Sequence, residues 1–352
     1  MPYTDLIGAV VTALIVTFFS IPSIIKISRI KHLFDKIDER RSHQTPVPTL
    51  GGVAMFAGLL FSFTFWASFG QQYSNSQYVL CAYIVIFLIG AKDDLVPLTA
   101  FKKMAGEVVA AILLVYKADI RLTSLYGILG LQEIPIWLSV PLSIFVILLI
   151  INALNLIDGI DGLAAMVGLV ACVAFGTWFY VAGQTDLAIL AAALSGALIG
   201  FLHYNFMLRP ARIFMGDTGS LLIGLTMAIL SIQFIEANKS WQNSWSIQSV
   251  PAVAVAVLIV PLFDTLRVFT LRAVRGRSPF EPDKTHIHHL LLEIGFSHRQ
   301  ATLILLIINI LFIILAYFLQ GLGTLLLLFL LLLLAMLLTW LVFAKARQKS
   351  SS

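Results

Sequence analysis

Asn152, Asn155, Asp158 and Asp161 recur at every third position of Asn152-Ala-Leu-Asn-Leu-Ile-Asp-Gly-Ile-Asp-Gly-Leu-Ala164. An apolar run, Ile144 to Ile151, leads directly into them. Ionisable groups at the end of a membrane helix are expensive to bury, which makes them functional by default. On a straight helix a three-residue step drifts by about 60°, so the four cannot share one face. Gly159 and Gly162 let the helix end and the chain turn, which can bring them together. Hard oxygens of this kind suit Mg²⁺, which prefers octahedral oxygen and keeps substrate phosphates in its shell. A calcium loop is excluded, because Asp-x-Asp-x-Asp-Gly with a distal Glu is absent. The structural alternative is a polar helix end dressed with Asx turns.

Other segments add to this chemistry. Asp93 and Asp94 are adjacent carboxylates that repel unless a cation lies near; Lys92, Lys102 and Lys103 could balance them as a solvated loop. Phe214-Met-Gly-Asp-Thr-Gly-Ser220 opens an apolar run. Asp217 or Thr218 could cap a helix there, and a helix amino end also attracts phosphate. Asp264 and Arg267, three apart, read as a mutually neutralising ion pair. His286, His288 and His289 follow Asp283. Zinc is disfavoured because no Cys is near and no His-Glu-x-x-His pattern occurs; anion binding with Arg275, Arg277 and Lys284 is as natural. Asp35, Asp38, Arg40, Arg41 and His43 precede Pro46-Val-Pro-Thr-Leu-Gly-Gly52, an ordered turn without chemistry of its own.

These residues must be held by a membrane protein. Of 352 residues 59% are hydrophobic and only 12% charged, with a mean hydropathy of +0.96. Lipid offers no water to backbone groups, so helices or a closed barrel are required, and runs such as Leu325 to Leu334 lack the alternation of barrel strands. The chain therefore reads as all-α and polytopic, a single catalytic domain over 1–352. About eleven spans are expected, at 4–28, 49–69, 78–91, 104–118, 135–152, 162–181, 187–207, 219–236, 249–271, 300–318 and 323–344. With the amino terminus outside, nineteen of the 23 Lys and Arg residues fall in the inner segments, which fixes the orientation and puts the carboxyl terminus in the cytoplasm. The largest inner loop is 272–299 and the tail is 345–352. The net charge of +5 is a topology signal, not a sign of nucleic-acid binding. Cys81 and Cys172 sit in apolar runs and read as small buried hydrophobes. Thirteen of the eighteen carboxylates lie on or near the inner side, the side on which the substrates are expected.

In order, Pro46-Val-Pro-Thr-x-Gly-Gly, Asp93-Asp94, Asn152-x-x-Asn-x-x-Asp-Gly-x-Asp-Gly-Leu-Ala, Phe214-Met-Gly-Asp-x-Gly-Ser and His286-Ile-His-His resemble the polyprenyl-phosphate N-acetylhexosamine-1-phosphate transferase family. Ser278-Pro-Phe-x-Pro-Asp-x-x-His-Ile-His-His resembles its WecA/TagO-like branch, which moves GlcNAc-1-phosphate, or a related sugar phosphate, from a UDP-sugar to undecaprenyl phosphate. The branch acting on UDP-MurNAc-pentapeptide usually carries three consecutive histidines, which Ile287 interrupts here, so that branch is the runner-up. Many members carry a charged residue just after the Asp pair; here Leu95-Val-Pro-Leu98 intervenes, leaving Lys102 or Lys103 for the lipid phosphate.

The resemblance implies a multi-pass enzyme of the bacterial inner membrane, acting at the cytoplasmic face in a cell-envelope polysaccharide pathway, with Mg²⁺ (Mn²⁺ as substitute) as cofactor. It implies Asp217 and Asn155 as metal ligands and Asp93, Asp94, Asp158 and His288 as catalytic residues. Asp93 would act on the lipid phosphate, and Asp94 and Asp158 would orient metal and phosphates. Asp161 and Phe214 would hold uracil; Arg277, His286, His288 and His289 would bind diphosphate and sugar; Asn152 would shape the turn. The expected partners are a UDP-sugar, undecaprenyl phosphate and the membrane, and a homodimer is compatible with them. A transporter would instead show repeats and midplane sites, and a lipid-binding scaffold would not need so many carboxylates.

Overall fold

The computed structural model describes residues 3–31, 33, 47–68, 75–208, 210–240, 245–276 and 285–350. Among them it is built of α-helices: α1 Tyr3–Ile30, α2 Gly51–Trp66, α3 Ser76–Leu95, α4 Ala100–Ile112, α5 Ile136–Ile157, α6 Leu163–Val181, α7 Thr185–Leu202, α8 Gly216–Ser240, α9 Val250–Val257, α10 Ile259–Val274, α11 Ile287–Ile294, α12 His298–Phe318 and α13 Thr324–Ser350. Short π-helical turns prolong α4 to Lys117 and α7 to Met207.

The expected spans each fall on one of these helices or on a helix pair. Seven helices (α1, α5, α6, α7, α8, α12 and α13) are individually long and apolar enough to cross a membrane, and an eighth span arises if α9 and α10 count as one. The helices α2 and α4 are shorter, at 16 and 13 residues, and α3 ends in Lys92, Asp93 and Asp94.

The bundle is built around α8. In α8 94% of an apolar stretch of eighteen residues is buried, against 22% of such a stretch in α1 and in α13. Close approach of small residues sets the neighbours. A Cβ on Gly90 of α3 would lie 2.5 Å from Thr218 Cα of α8, so only glycine lets these two helices meet there. That contact brings the end of α3 to the start of α8. The expected span 78–91 underestimates α3, and the Asp pair lies in its last helical turn rather than in a loop.

The expected span 249–271 is not one continuous helix. It is broken between α9 and α10, which meet at 85°. Backbone groups freed by a break inside a bilayer need partners, and Asn309 of α12 supplies them: its amide donates to Val257 O at 3.0 Å and its Oδ1 accepts from Val260 N at 3.4 Å. Pro261, near the start of α10, costs little because the first turn of a helix has no use for its N–H. The bend carries Asp264 towards residues 285–287. Of the expected inner loop 272–299, the described residues contain α11 and the start of α12, while Pro279 and Pro282 lie outside the described residues.

Candidate active site

The ends of α3 and α5 and the starts of α4 and α8 converge. Asp94 Oδ1 accepts the backbone N–H of Asp217 at 2.7 Å; its Oδ2 accepts the Thr218 N–H at 3.0 Å and the Thr218 hydroxyl at 2.5 Å. The cap of α8 is therefore supplied by another helix, not by Asp217 or Thr218 themselves. Both oxygens of Asp94 are committed to the start of α8, Oδ1 to Asp217 and Oδ2 to Thr218.

Asp217 is the hub. The Asn155 amide donates to its Oδ1 at 2.6 Å and to Ser220 Oγ at 2.8 Å. The Lys103 ammonium also contacts that Asp217 oxygen, and lies 3.4 Å from Asn155 Oδ1 and 3.3 Å from Asp93 Oδ2. Asp93 Oδ1 accepts Leu98 N–H at 2.6 Å, which fixes the turn before α4. Lys103, not the exposed Lys102, enters the cluster.

Glu107 belongs here although no motif flagged it. It is 1% exposed, and its Oε2 accepts the Asn152 amide at 2.6 Å. Its Oε1 makes no hydrogen bond among the described residues. Asn152 also donates to Leu148 O at 2.9 Å, so it faces α4 and stands one step back from Asp217. A lone carboxylate within the expected span 104–118 is the signal that marks it.

Asp158 caps the carboxyl end of α5, and its N–H donates to Asn155 O at 3.3 Å. The two glycines that follow serve different ends. Gly162 takes the left-handed conformation, at φ 76°, that starts α6. Gly159 is not in that region; a Cβ there would lie 2.3 Å from His288 Nε2, so it makes room for the imidazole. Asp161 Oδ2 is 3.7 Å from His298 Nδ1, and its carbonyl accepts Thr302 Oγ1 at 2.9 Å.

Residues 47–52 pair with 213–215: Phe214 N donates to Pro48 O at 2.7 Å, Gly51 N to Phe214 O at 3.0 Å, and Gly52 N to Met215 O at 2.8 Å. The Pro-Gly motif thus holds half-buried Phe214 beside the start of α8.

The histidines do not act alike. His286 Nδ1 is 2.8 Å from Asp264 Oδ2. Asp264 Oδ1 accepts Ile287 N at 3.0 Å and Arg267 at 2.7 Å. The ion pair read from spacing is present, and it also caps α11 and orients His286. His288 is buried, with neither ring nitrogen hydrogen-bonded among the described residues. Burial pushes its pKa down to about 3, so it stays neutral. Its ring lies 5.7 Å from that of His286 and 4.3 Å from that of His289. Arg277 lies outside the described residues.

No group of three or more His, Cys, Asp or Glu arranged for a metal occurs among the described residues. The donor set is instead mixed: two carboxylates and one amide oxygen converge on the Lys103 ammonium, which marks where a hard cation fits.

A helical membrane bundle whose carboxylates, amides and one lysine meet at helix ends defines the class, and the chain belongs to glycosyl transferase family 4, whose pattern matches residues 76–235. It is 32% identical over 274 residues to the undecaprenyl-phosphate alpha-N-acetylglucosaminyl 1-phosphate transferase of Salmonella typhi, covering 76% of this chain and 71% of that protein. The Escherichia coli K12 protein of the same name is 30% identical over 85% of this chain and 78% of its own length. The decaprenyl-phosphate N-acetylglucosaminephosphotransferase of Mycobacterium tuberculosis is 36% identical over 87% and 80% respectively.

Proposed function

We propose that this protein transfers GlcNAc-1-phosphate from UDP-GlcNAc to undecaprenyl phosphate, releasing UMP. The relatives' names support the sugar and the polyprenyl acceptor. The observation that carries the reading is the meeting of Asp93, Lys103, Asn155 and Asp217 at one place. The site would face the cytoplasm of a bacterial inner membrane crossed about eleven times, amino terminus outside. The distribution of Lys and Arg supports that orientation.

Asp217 and Asn155 would hold Mg²⁺, or Mn²⁺ in its stead. Such an ion, when bound, neutralises charge on the transferring phosphoryl group and on the departing UMP oxygen. The chain's own residues do the positioning. Asp94 fixes the backbone of Asp217, Glu107 fixes Asn152, and Asp158 closes the α5 turn beside them. Lys103 is the cation placed to meet the lipid phosphate.

Asp93, 3.3 Å from Lys103 and not assigned to the metal, is the carboxylate that could take a proton from that phosphate. The demand is small, because a second phosphate pKa of about 6 leaves much of the acceptor dianionic near neutral pH. Direct attack of the phosphate oxygen on the donor, in line with the UMP oxygen, then needs no covalent enzyme intermediate. Phe214 would stack on uracil and Asp161 would accept from it. His288 and His289 would donate to the sugar and diphosphate, while His286, held by Asp264, orients them.

The test is UMP release by purified protein in detergent. Release is expected only when UDP-GlcNAc and undecaprenyl phosphate are both present, and is suppressed by EDTA. Release without the lipid, or none with it, contradicts the reading; full turnover in EDTA contradicts the metal.

A further inference from the structure

Lys103 stands where a divalent cation belongs. Its ammonium touches Asp217 Oδ1 and lies 3.3 Å from Asp93 Oδ2 and 3.4 Å from Asn155 Oδ1. Ammonium is a pure donor and consumes the lone pairs a metal would need. A dication and an ammonium brought together at these oxygens repel, strongly so wherever water is largely excluded. Lys103 is 16% exposed at its side chain, on a flexible stem that can swing without moving α4. One helical turn further, Glu107 keeps Oε1 buried and without a hydrogen bond. It is a second anionic seat for the same side chain, since residues four apart on a helix are neighbours.

We infer that Lys103 and the divalent cation compete for the oxygens of Asp93, Asn155 and Asp217. Arrival of the cation releases the ammonium, and the freed charge becomes available to phosphate only once the metal is in place. Metal loading and creation of the phosphate site thereby become one event. This rests on the assignment of Asp217 and Asn155 to the metal.

The experiment is Mn²⁺ titration of the full-length protein in detergent, with free Mn²⁺ read by electron paramagnetic resonance. Lys103→Met should bind Mn²⁺ about tenfold or more tightly than wild type, as expected from removing one close positive charge. Its UMP release should nevertheless fall, whereas damage to the fold alone would lower both. Lys103→Gln serves as a second variant if Lys103→Met does not fold. In the wild type, Mn²⁺ should speed labelling of Lys103 by a small amine reagent, measured by peptide mass spectrometry. Unchanged Mn²⁺ affinity in both Lys103 variants, or labelling indifferent to Mn²⁺, overturns the competition. Asp217→Asn separates the two claims. If it abolishes Mn²⁺ binding while the Lys103 variants match wild type, only the competition fails. If it leaves binding intact, or if no protein binds Mn²⁺, the metal assignment fails and the competition with it.

Discussion

Asp94 caps α8 from the end of α3, accepting the N–H groups of Asp217 at 2.7 Å and Thr218 at 3.0 Å. Two adjacent aspartates that look equivalent in the sequence are thereby separated in role: Asp94 holds the hub, and Asp93 faces Lys103. Asp94→Ala leaves two amide groups without acceptors, a loss of about 1–3 kcal/mol, and is expected to lower the melting temperature and turnover together. Asp93→Asn is expected to lower turnover with the melting temperature unchanged. Thermal unfolding of both variants beside UMP release checks the contrast.

Glu107 is the buried partner of Asn152 at 2.6 Å. Glu107→Gln keeps an acceptor for that amide and should retain most of the fold's stability. Glu107→Ala leaves one of the two amide hydrogens of Asn152 without an acceptor, at a cost of about 1–3 kcal/mol. A melting temperature that does not distinguish the two variants would remove Glu107 from the positioning set.

His288 gives a pH signature. Its pKa is pushed from 6.5 down to about 3 by burial, with His289, His286 and His298 adding repulsion and Asp264 opposing it. The unfolded chain therefore binds a proton that the folded chain refuses. The contribution is complete above the unfolded pKa and is lost as pH falls from about 6.5 towards 3, by about 1.4 kcal/mol per unit. Wild type should lose melting temperature between about pH 6.5 and pH 5, and His288→Gln should lose less. Parallel pH profiles would contradict a neutral buried imidazole.

Asn309 holds the break between α9 and α10 through Val257 O and Val260 N. Asn309→Leu should destabilise by about 1–3 kcal/mol, because two backbone groups buried in the bundle lose their partner. Activity should fall too, since α10 carries Asp264 to His286. Unchanged stability would mean that the bend is held by packing alone.

Much of this was legible in the chain. The apolar runs mark where the helices lie, and the Asn-Asp spacing marks where α5 ends and α6 begins. The histidine cluster lies beside Gly159, and the Asp264–Arg267 pair is present at 2.7 Å. What escaped depends on distant partners. Asp94 meets Thr218 across 124 residues, and no local pattern reports that. Nor does spacing show which of Lys102 and Lys103 turns inward. Gly159 and Gly162 look like a matched pair of turn residues, but only Gly162 needs its backbone freedom; Gly159 is needed for the space it leaves. Glu107 and Asn309 were readable in principle, as lone polar residues within apolar spans.

A sugar phosphate, and not a bare sugar, is expected to move to the lipid at the Asp93–Lys103–Asn155–Asp217 cluster. UDP-GlcNAc labelled in the phosphate next to the sugar tests it directly, with undecaprenyl phosphate as acceptor. The lipid product should carry the label, UMP in solution should not, and transfer should fall by about a hundredfold or more in Asp217→Asn, as for loss of a group acting on the transferring phosphate. Label retained in free UDP, or full transfer by Asp217→Asn, would contradict it.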